Sequence, residues 1–381
     1  MKKYDVIVAG AGVAGIAAAL ECARSGLKTA LLEKTIIPGG LATSGMVNIY
    51  LPLCDGNGRQ LIHGISEELL KESIKYGPGS MPAGWGGVPG QKKSRYLVVF
   101  SPASFVLAID ELLEHKNIDV WYDTQISGAI LKGQRLTGVE VLNKSGKLVL
   151  SASCFIDATG DADIANFAGA ECTEGENRLS IWAINASSEK RGSSPDMIRL
   201  GADDSGRGHP EGAPILKGTG GKDTTTFVLE SRRLLRKHYV KMQKDHSRED
   251  EYPLALPIMA QFRTTRKIKG LASIKNDAFN RNIGDSVGVM PEWHFAGRSW
   301  EVPYGSIVPQ KIQGLLAVGR CMDAEAGDAW NVARVIPCAA LTGQIAGISA
   351  VLSVENKAVP GDIELKDMRK VLDKRGILYH L

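Results

Sequence analysis

Hydrophobic and polar positions change period repeatedly along the chain, and each change marks an element. The first apolar run, Val6-Ile7-Val8, has the length of a buried strand and leads directly into Gly10-Ala11-Gly12-Val13-Ala14-Gly15. Small and apolar residues then recur at helical spacing over 14–25 and stop at Gly26. Thr29-Ala30-Leu31-Leu32 forms a second apolar strand that ends on Glu33. Strand, glycine turn, helix, strand and acid therefore stand in register.

Further along, an amphipathic helix is predicted over 65–76 after His63-Gly64. A glycine- and proline-rich loop over 77–90, containing Trp85, is long enough for a lid. Ser101-Pro102 supplies an N-cap and a first-turn proline for a helix to about 114, with a strand at 120–122. Apolar runs at 126–131, 136–142 and 148–150 predict a β-meander. A strand over 154–157 ends in Ala158-Thr159-Gly160, and Asp161 or Asp163 is expected to cap a helix through Phe167. Residues 185–226 have little periodicity and read as loop-rich, whereas 227–244 has a helical pattern. Residues 263–268 would place Arg263 and Arg266 on one face if helical. Gly314-Leu315-Leu316-Ala317-Val318-Gly319-Arg320 reads as a last buried strand and 326–335 as a loop. Pro337 opens a helix to about 352, and 365–374 is a short terminal helix.

Composition narrows the class. A chain of 381 residues, 44% hydrophobic and 23% charged, is long enough for two joined domains of ordinary globular character. No apolar run approaches the roughly 20 residues that cross a bilayer, so no membrane partner is expected. A net charge of +4 makes no case for nucleic acid, and the basic run at 232–244 reads as a solvated helix face. The six cysteines contain no C-x-x-C pair, which argues against zinc, iron–sulfur clusters and a redox disulfide. Reduced thiols suit a cytoplasmic protein. Lys2 and Lys3 before an apolar run are like a signal peptide, but Asp5, the glycines and Glu33 argue for a mature, folded N-terminus.

The chemistry begins at the glycines. In a dinucleotide-binding turn the first permits the bend, the second lets pyrophosphate approach the backbone, and the third lets helix pack on strand. An acid at Glu33 can accept hydrogen bonds from both ribose hydroxyls and disfavours a 2′-phosphate, so FAD or NAD is expected and NADP is not. Pro38-Gly39-Gly40-Leu41-Ala42-Thr43-Ser44-Gly45 can lie flat against a planar ring. A helix start near Pro337 could aim its positive dipole end at a flavin. Gly218-Thr219-Gly220-Gly221 lacks the strand and spacing of a second fingerprint, so no separate NAD(P)H domain is expected.

On these residues, with Asp157-Ala158-Thr159-Gly160-Asp161, 263–270, 303–309, 316–321 and Arg334-Val335-Ile336-Pro337, the chain resembles FAD-dependent oxidoreductases related to the heterodisulfide reductase flavoprotein subunit. The resemblance spans nearly the whole length and lies within the glutathione-reductase-like superfamily. It implies an α/β fold, a Rossmann-like FAD-binding domain with an inserted α+β substrate domain. The expected division is 1–175 for the first part of the FAD domain, with 61–99 contributing to the substrate side, 176–304 for the substrate domain, and 305–381 for the return segment. This chain departs from the heterodisulfide reductase pattern in lacking its cluster cysteines.

The residues expected at FAD are Gly10, Gly12, Val13, Ala14 and Gly15 in the turn, and Glu33 and Lys34 at the ribose. Gly40, Leu41, Ala42 and Thr43 follow in the loop, then Ala158, Thr159, Gly160, Gly319, Arg334 and Val335. The expected reaction is hydride transfer between flavin N5 and a small polar or anionic substrate. His63, His294 and Tyr304 are considered for the coupled proton, and Arg263 and Arg266 as anchors of a carboxylate or hydroxylated group. The alternatives are an electron-transfer subunit serving a redox partner protein, a nucleic-acid modification protein, and an NAD-dependent synthase.

Overall fold

Val6–Ala9 is the middle strand of a five-stranded sheet, and the fold is built outward from it. In order across the sheet the strands are Leu315–Ala317, Cys154–Asp157, Val6–Ala9, Thr29–Leu32 and Ile118–Trp121, and each neighbouring pair is parallel. Elements cover both faces, so the inner strands are buried at every position instead of alternating, with Thr29 and Asp157 the polar residues among them. The protein is described from a computed structural model, covering residues 2–82, 85, 95–187, 195–245 and 247–381. Half of the expected lid at 77–90 and the stretch 188–194 lie outside the described residues.

The first helix, Val13–Arg24, and the long Ile336–Glu355 helix pack on one another through small residues. A Cβ at Gly343 would collide with the Ala14 carbonyl, and one at Gly347 would come within 2.7 Å of Glu21 Cβ. Ile336–Glu355 corrects the expectation that no apolar run approaches membrane length: it is long and apolar enough to span, but 94% of its most apolar window is buried inside the protein. The meander is Gln125–Lys132, Arg135–Asn143 and Gly146–Ser151, extended by Lys2–Lys3 in parallel.

Several local expectations change. Within 185–226 the chain forms regular structure: Ser180–Ser187 pairs antiparallel with both Asp196–Gly201 and Glu251–Ala255. The Gly221–Met242 helix seats Phe227, Ser231, Leu235 and Tyr239 towards this small sheet. Short alternation diluted by Gly and Ser hid the strands. Arg266–Ile268 is a strand paired with Cys172–Glu174, not a helix. Residues 326–335 contain a helix, Asp328–Ala333. Neither Asp161 nor Asp163 caps the Asp163–Phe167 helix, because left-handed Ala162 holds the cap position and Asp157 Oδ2 accepts the Ala165 N–H from below.

Candidate functional site: a nucleotide cleft and an arginine-lined cavity

The turn after Val6–Ala9 uses its glycines in three different ways. Gly10 has φ +93°, and a Cβ there would strike the Ala158 carbonyl. A Cβ on Gly15 would strike the Gly10 carbonyl, so helix and turn touch backbone to backbone. A Cβ on Gly12 would meet nothing within 4 Å, which leaves that backbone open to a phosphate at the start of the helix. The loop at Gly39 is tied to this turn by its N–H, which donates to the Ala11 carbonyl at 2.7 Å.

Glu33 stands at the end of the neighbouring strand and is buried. Its Oε2 accepts the Ala11 N–H at 2.9 Å, and its Oε1 accepts from the Thr35 N–H and hydroxyl, each at 2.9 Å. Glu33, Lys34, Gly10, Thr159 and Asp163 border a cleft of about 70 Å³. Asp163 is paired with Arg266 at 2.6 Å, yet its carboxyl is pushed up to about 6. Burial is the main cause, and the neighbouring Asp157 and Asp161 carboxylates together outweigh Arg266.

Beyond the carboxyl ends of the strands lies a larger cavity of about 290 Å³. One part of its wall is apolar, from Leu41, Val47, Ile49, Trp182, Phe262 and Trp293. Among the described residues the other part carries four arginines, Arg199, Arg263, Arg320 and Arg334, against one carboxylate, Asp204. Asp204 Oδ1 lies 2.5 Å from Arg334 Nη2 and 3.3 Å from Arg263 Nε. Arg263 also donates to the Ala202 and Asp203 carbonyls at 2.9 Å. Arg320 Nη2 donates to the Gly160 carbonyl at 3.2 Å and lies 3.9 Å from Asp161. Burial pushes the Arg334 guanidinium down to about 10, opposed by Asp204 and assisted by Arg263 and Arg320, so it stays charged at neutral pH. The Nε groups of Arg320 and Arg334 are buried without a hydrogen-bond partner among the described residues. Buried donors of this kind are costly until an acceptor arrives.

A smaller polar cavity of about 110 Å³ shares Asp204, Arg263 and Arg334 with the larger one. The arginine–aspartate cluster thus stands between two spaces.

The sequence-derived residues separate on this frame. Gly10, Glu33, Lys34 and Thr159 line the cleft, while Leu41, Arg263, Arg334 and Val335 line the cavity. Arg263 and Arg266 diverge, because Arg263 lies at a bend before the strand that begins at Arg266. Arg266 turns instead to the Asp161 carbonyl, at 3.0 Å, and to Asp163. His63 is half-buried, 3.6 Å from Glu67, and Tyr304 is buried with its hydroxyl donating to the Pro360 carbonyl at 2.6 Å. His294 stacks on Trp293 at 3.6 Å. None of these three lines the cavity. Sequence reasoning missed Arg199, Asp204, Trp182 and Gln261. Asp204 lay in a segment read by its composition, and the others had no motif to mark them.

A parallel sheet with a glycine turn, a buried acid at its second strand and cavities at the strands' carboxyl ends defines a dinucleotide-binding α/β protein. The family model for FAD dependent oxidoreductase matches residues 5–181 and 219–372, and the chain belongs to that family. FAD is accordingly its cofactor, and the open Gly12 backbone, Glu33 and the orphaned arginine donors fit such a group. Digeranylgeranylglycerophospholipid reductase of Picrophilus torridus is 31% identical over 184 residues, 44% of this chain and 42% of the relative. Thioredoxin reductase of Ureaplasma parvum is 35% identical over 71 residues, 19% of this chain and 23% of the relative. The chain therefore spans less than half the length of the curated relatives it matches. A geranylgeranyl bacteriochlorophyll reductase-like protein from Thermoplasma acidophilum shares the fold, with a TM-score of 0.51 and 14% identity over 98% of this chain and 84% of that one.

Proposed function

We propose that the chain is an FAD-dependent oxidoreductase acting on a small polar or anionic substrate, with Glu33 at the ribose end of the cofactor and the arginine-lined cavity at its reactive end. The observation that carries this reading is the imbalance of four arginines against one carboxylate in a cavity that is otherwise mostly apolar. When bound, FAD supplies two-electron exchange, with a hydride entering or leaving at N5. The chain's own groups do the rest. Arg334 and Arg320 keep positive charge where reduction builds negative charge, and the apolar wall keeps their field strong by limiting water. Asp204 spaces Arg263 and Arg334 and holds both in place. His294 stacks on the lining Trp293 but stands outside the cavity, 3.6 Å from Glu292, so we assign it no proton-transfer role. His63 and Tyr304 are bound to neighbours elsewhere.

Placement of Trp182, Arg199 and Arg263 on the cavity wall supports reading 176–304 as the substrate side, with 1–175 and 305–381 holding FAD. Relatives named as reductases support redox chemistry but no particular substrate. The test is the visible spectrum of purified protein before and after acid release of its cofactor, followed by anaerobic bleaching with small organic acids and alcohols. A flavin spectrum, released FAD and bleaching are expected. A colourless protein that takes up no FAD would sink the reading, and a flavin reduced or oxidised by partner proteins alone would replace it with an electron-transfer subunit.

A further inference from the structure

We propose that Arg199 selects the substrate by its carboxylate, pairing with an acid whose flat apolar body lies against Trp182, Phe262 and Trp293. This deepens the function above and rests on it for where the reaction takes place.

The four cavity arginines are not equivalent. Arg263 and Arg334 share Asp204, and Arg320 is held by the Gly160 carbonyl and faces Asp161. Arg199 stands 4.5 Å over the Trp182 ring and has neither a carboxylate nor a hydrogen-bond acceptor among the described residues. The backbone explains this placement. Arg199 is directly opposite Trp182 in an antiparallel pair, so both side chains leave the same face of the small sheet. Their neighbours Ile181 and Leu200, also opposite one another, face the other way and pack with Leu235 and Tyr239 of the long helix.

A guanidinium laid on an indole uses its planar face and leaves its N–H edge available, and that edge matches a carboxylate with two parallel hydrogen bonds. Partial burial pushes Arg199's pKa down with no counter-charge to compensate. An arriving anion would relieve that cost. The surrounding wall is aromatic and aliphatic, so a strongly polar body would lose its hydration there without recovering hydrogen bonds. The matching ligand class is therefore an apolar carboxylic acid.

The test uses the full chain loaded with FAD and titrated with phenylacetate and its neutral isostere phenylacetamide. Flavin absorbance and tryptophan fluorescence are both followed. Phenylacetate is expected to bind at least about tenfold tighter than the amide, the scale of one charge-assisted pair. Arg199→Gln should bring the two within about twofold by weakening the acid alone, while Arg199→Lys, which keeps the charge, should retain part of the preference. An undiminished preference for the acid in Arg199→Gln overturns the inference, as does a wild-type protein that binds neither compound or binds both alike. The fluorescence readout does not need flavin. Acid preference that depends on Arg199 in a protein that fails to hold FAD would keep this inference and defeat the FAD reading; retained FAD without that preference would do the reverse.

Discussion

The nucleotide cleft and the arginine cavity solve opposite problems a short distance apart. At the cleft, one run from Val6 to Glu33 supplies the strand, the turn, the helix and the acid, and both oxygens of Glu33 already accept hydrogen bonds from Ala11 and Thr35. In the cavity, the charged groups come from positions 199, 204, 263, 320 and 334, and two buried arginine Nε groups have no partner among the described residues. The cleft is encoded by backbone shape and is nearly complete on its own. The cavity is an electrostatic assembly held in excess of positive charge, which is costly without a ligand and useful with one.

The comparison breaks at Asp204. Asp204→Asn removes the one carboxylate among the described lining residues and leaves Arg263 and Arg334 part-buried beside one another without its charge. A loss of about 1–3 kcal/mol is expected in denaturant unfolding, below the cost of breaking a fully buried ion pair because the cluster is part-buried. Asp204→Asn unfolding at the wild-type midpoint would show that the cluster is not held by that carboxylate.

The cleft should break for a steric reason instead. Gly10→Ala combines a left-handed backbone with a collision at the Ala158 carbonyl, and a loss of about 2–3 kcal/mol together with loss of FAD from the purified protein is expected. Retention of FAD at unchanged stability would mean that the turn can relax.

A smaller effect concerns pH. The Asp163 carboxyl moves from its ordinary 3.8 up to about 6 in the folded chain, so the folded state holds its proton more tightly than the unfolded state does. Its contribution to stability is therefore fully present below about 4 and is lost as pH rises to about 6, by on the order of 1–3 kcal/mol. Measured as the difference in Tm between wild type and Asp163→Asn, the wild type should fall relative to the variant across that window and run level with it above. A difference that rises across the window would mean that Arg266 dominates over burial and the two neighbouring carboxylates.

The smallest effect is expected at Arg199. Its side chain keeps much of its surface in solvent and has no ion-pair partner among the described residues, so Arg199→Gln should change stability by no more than about 0.5 kcal/mol while altering ligand preference. A large loss would show that its stacking on Trp182 supports the fold.

Legibility in the sequence followed the same division. The βαβ unit was readable because apolar period, turn glycines and the acid act over short separations, and the close approach of the first and last long helices was marked by Ala14, Gly343 and Gly347. The strands at 180–201 were obscured by composition, and the Arg263–Arg266 spacing misled because the segment bends at Arg263 and enters a strand only at Arg266. The sequence by itself determined a dinucleotide-binding sheet and its family, since those features depend on backbone conformation and nearby side-chain size. Tertiary structure alone decided that Arg263 joins Asp204 and Arg334, that Arg266 turns away to Asp163, and that Arg199 stacks on Trp182. Charge pairing between distant segments depends on distances that no local pattern records, and a Coulomb term of several kcal/mol at 4 Å fades to little a few ångströms further into water.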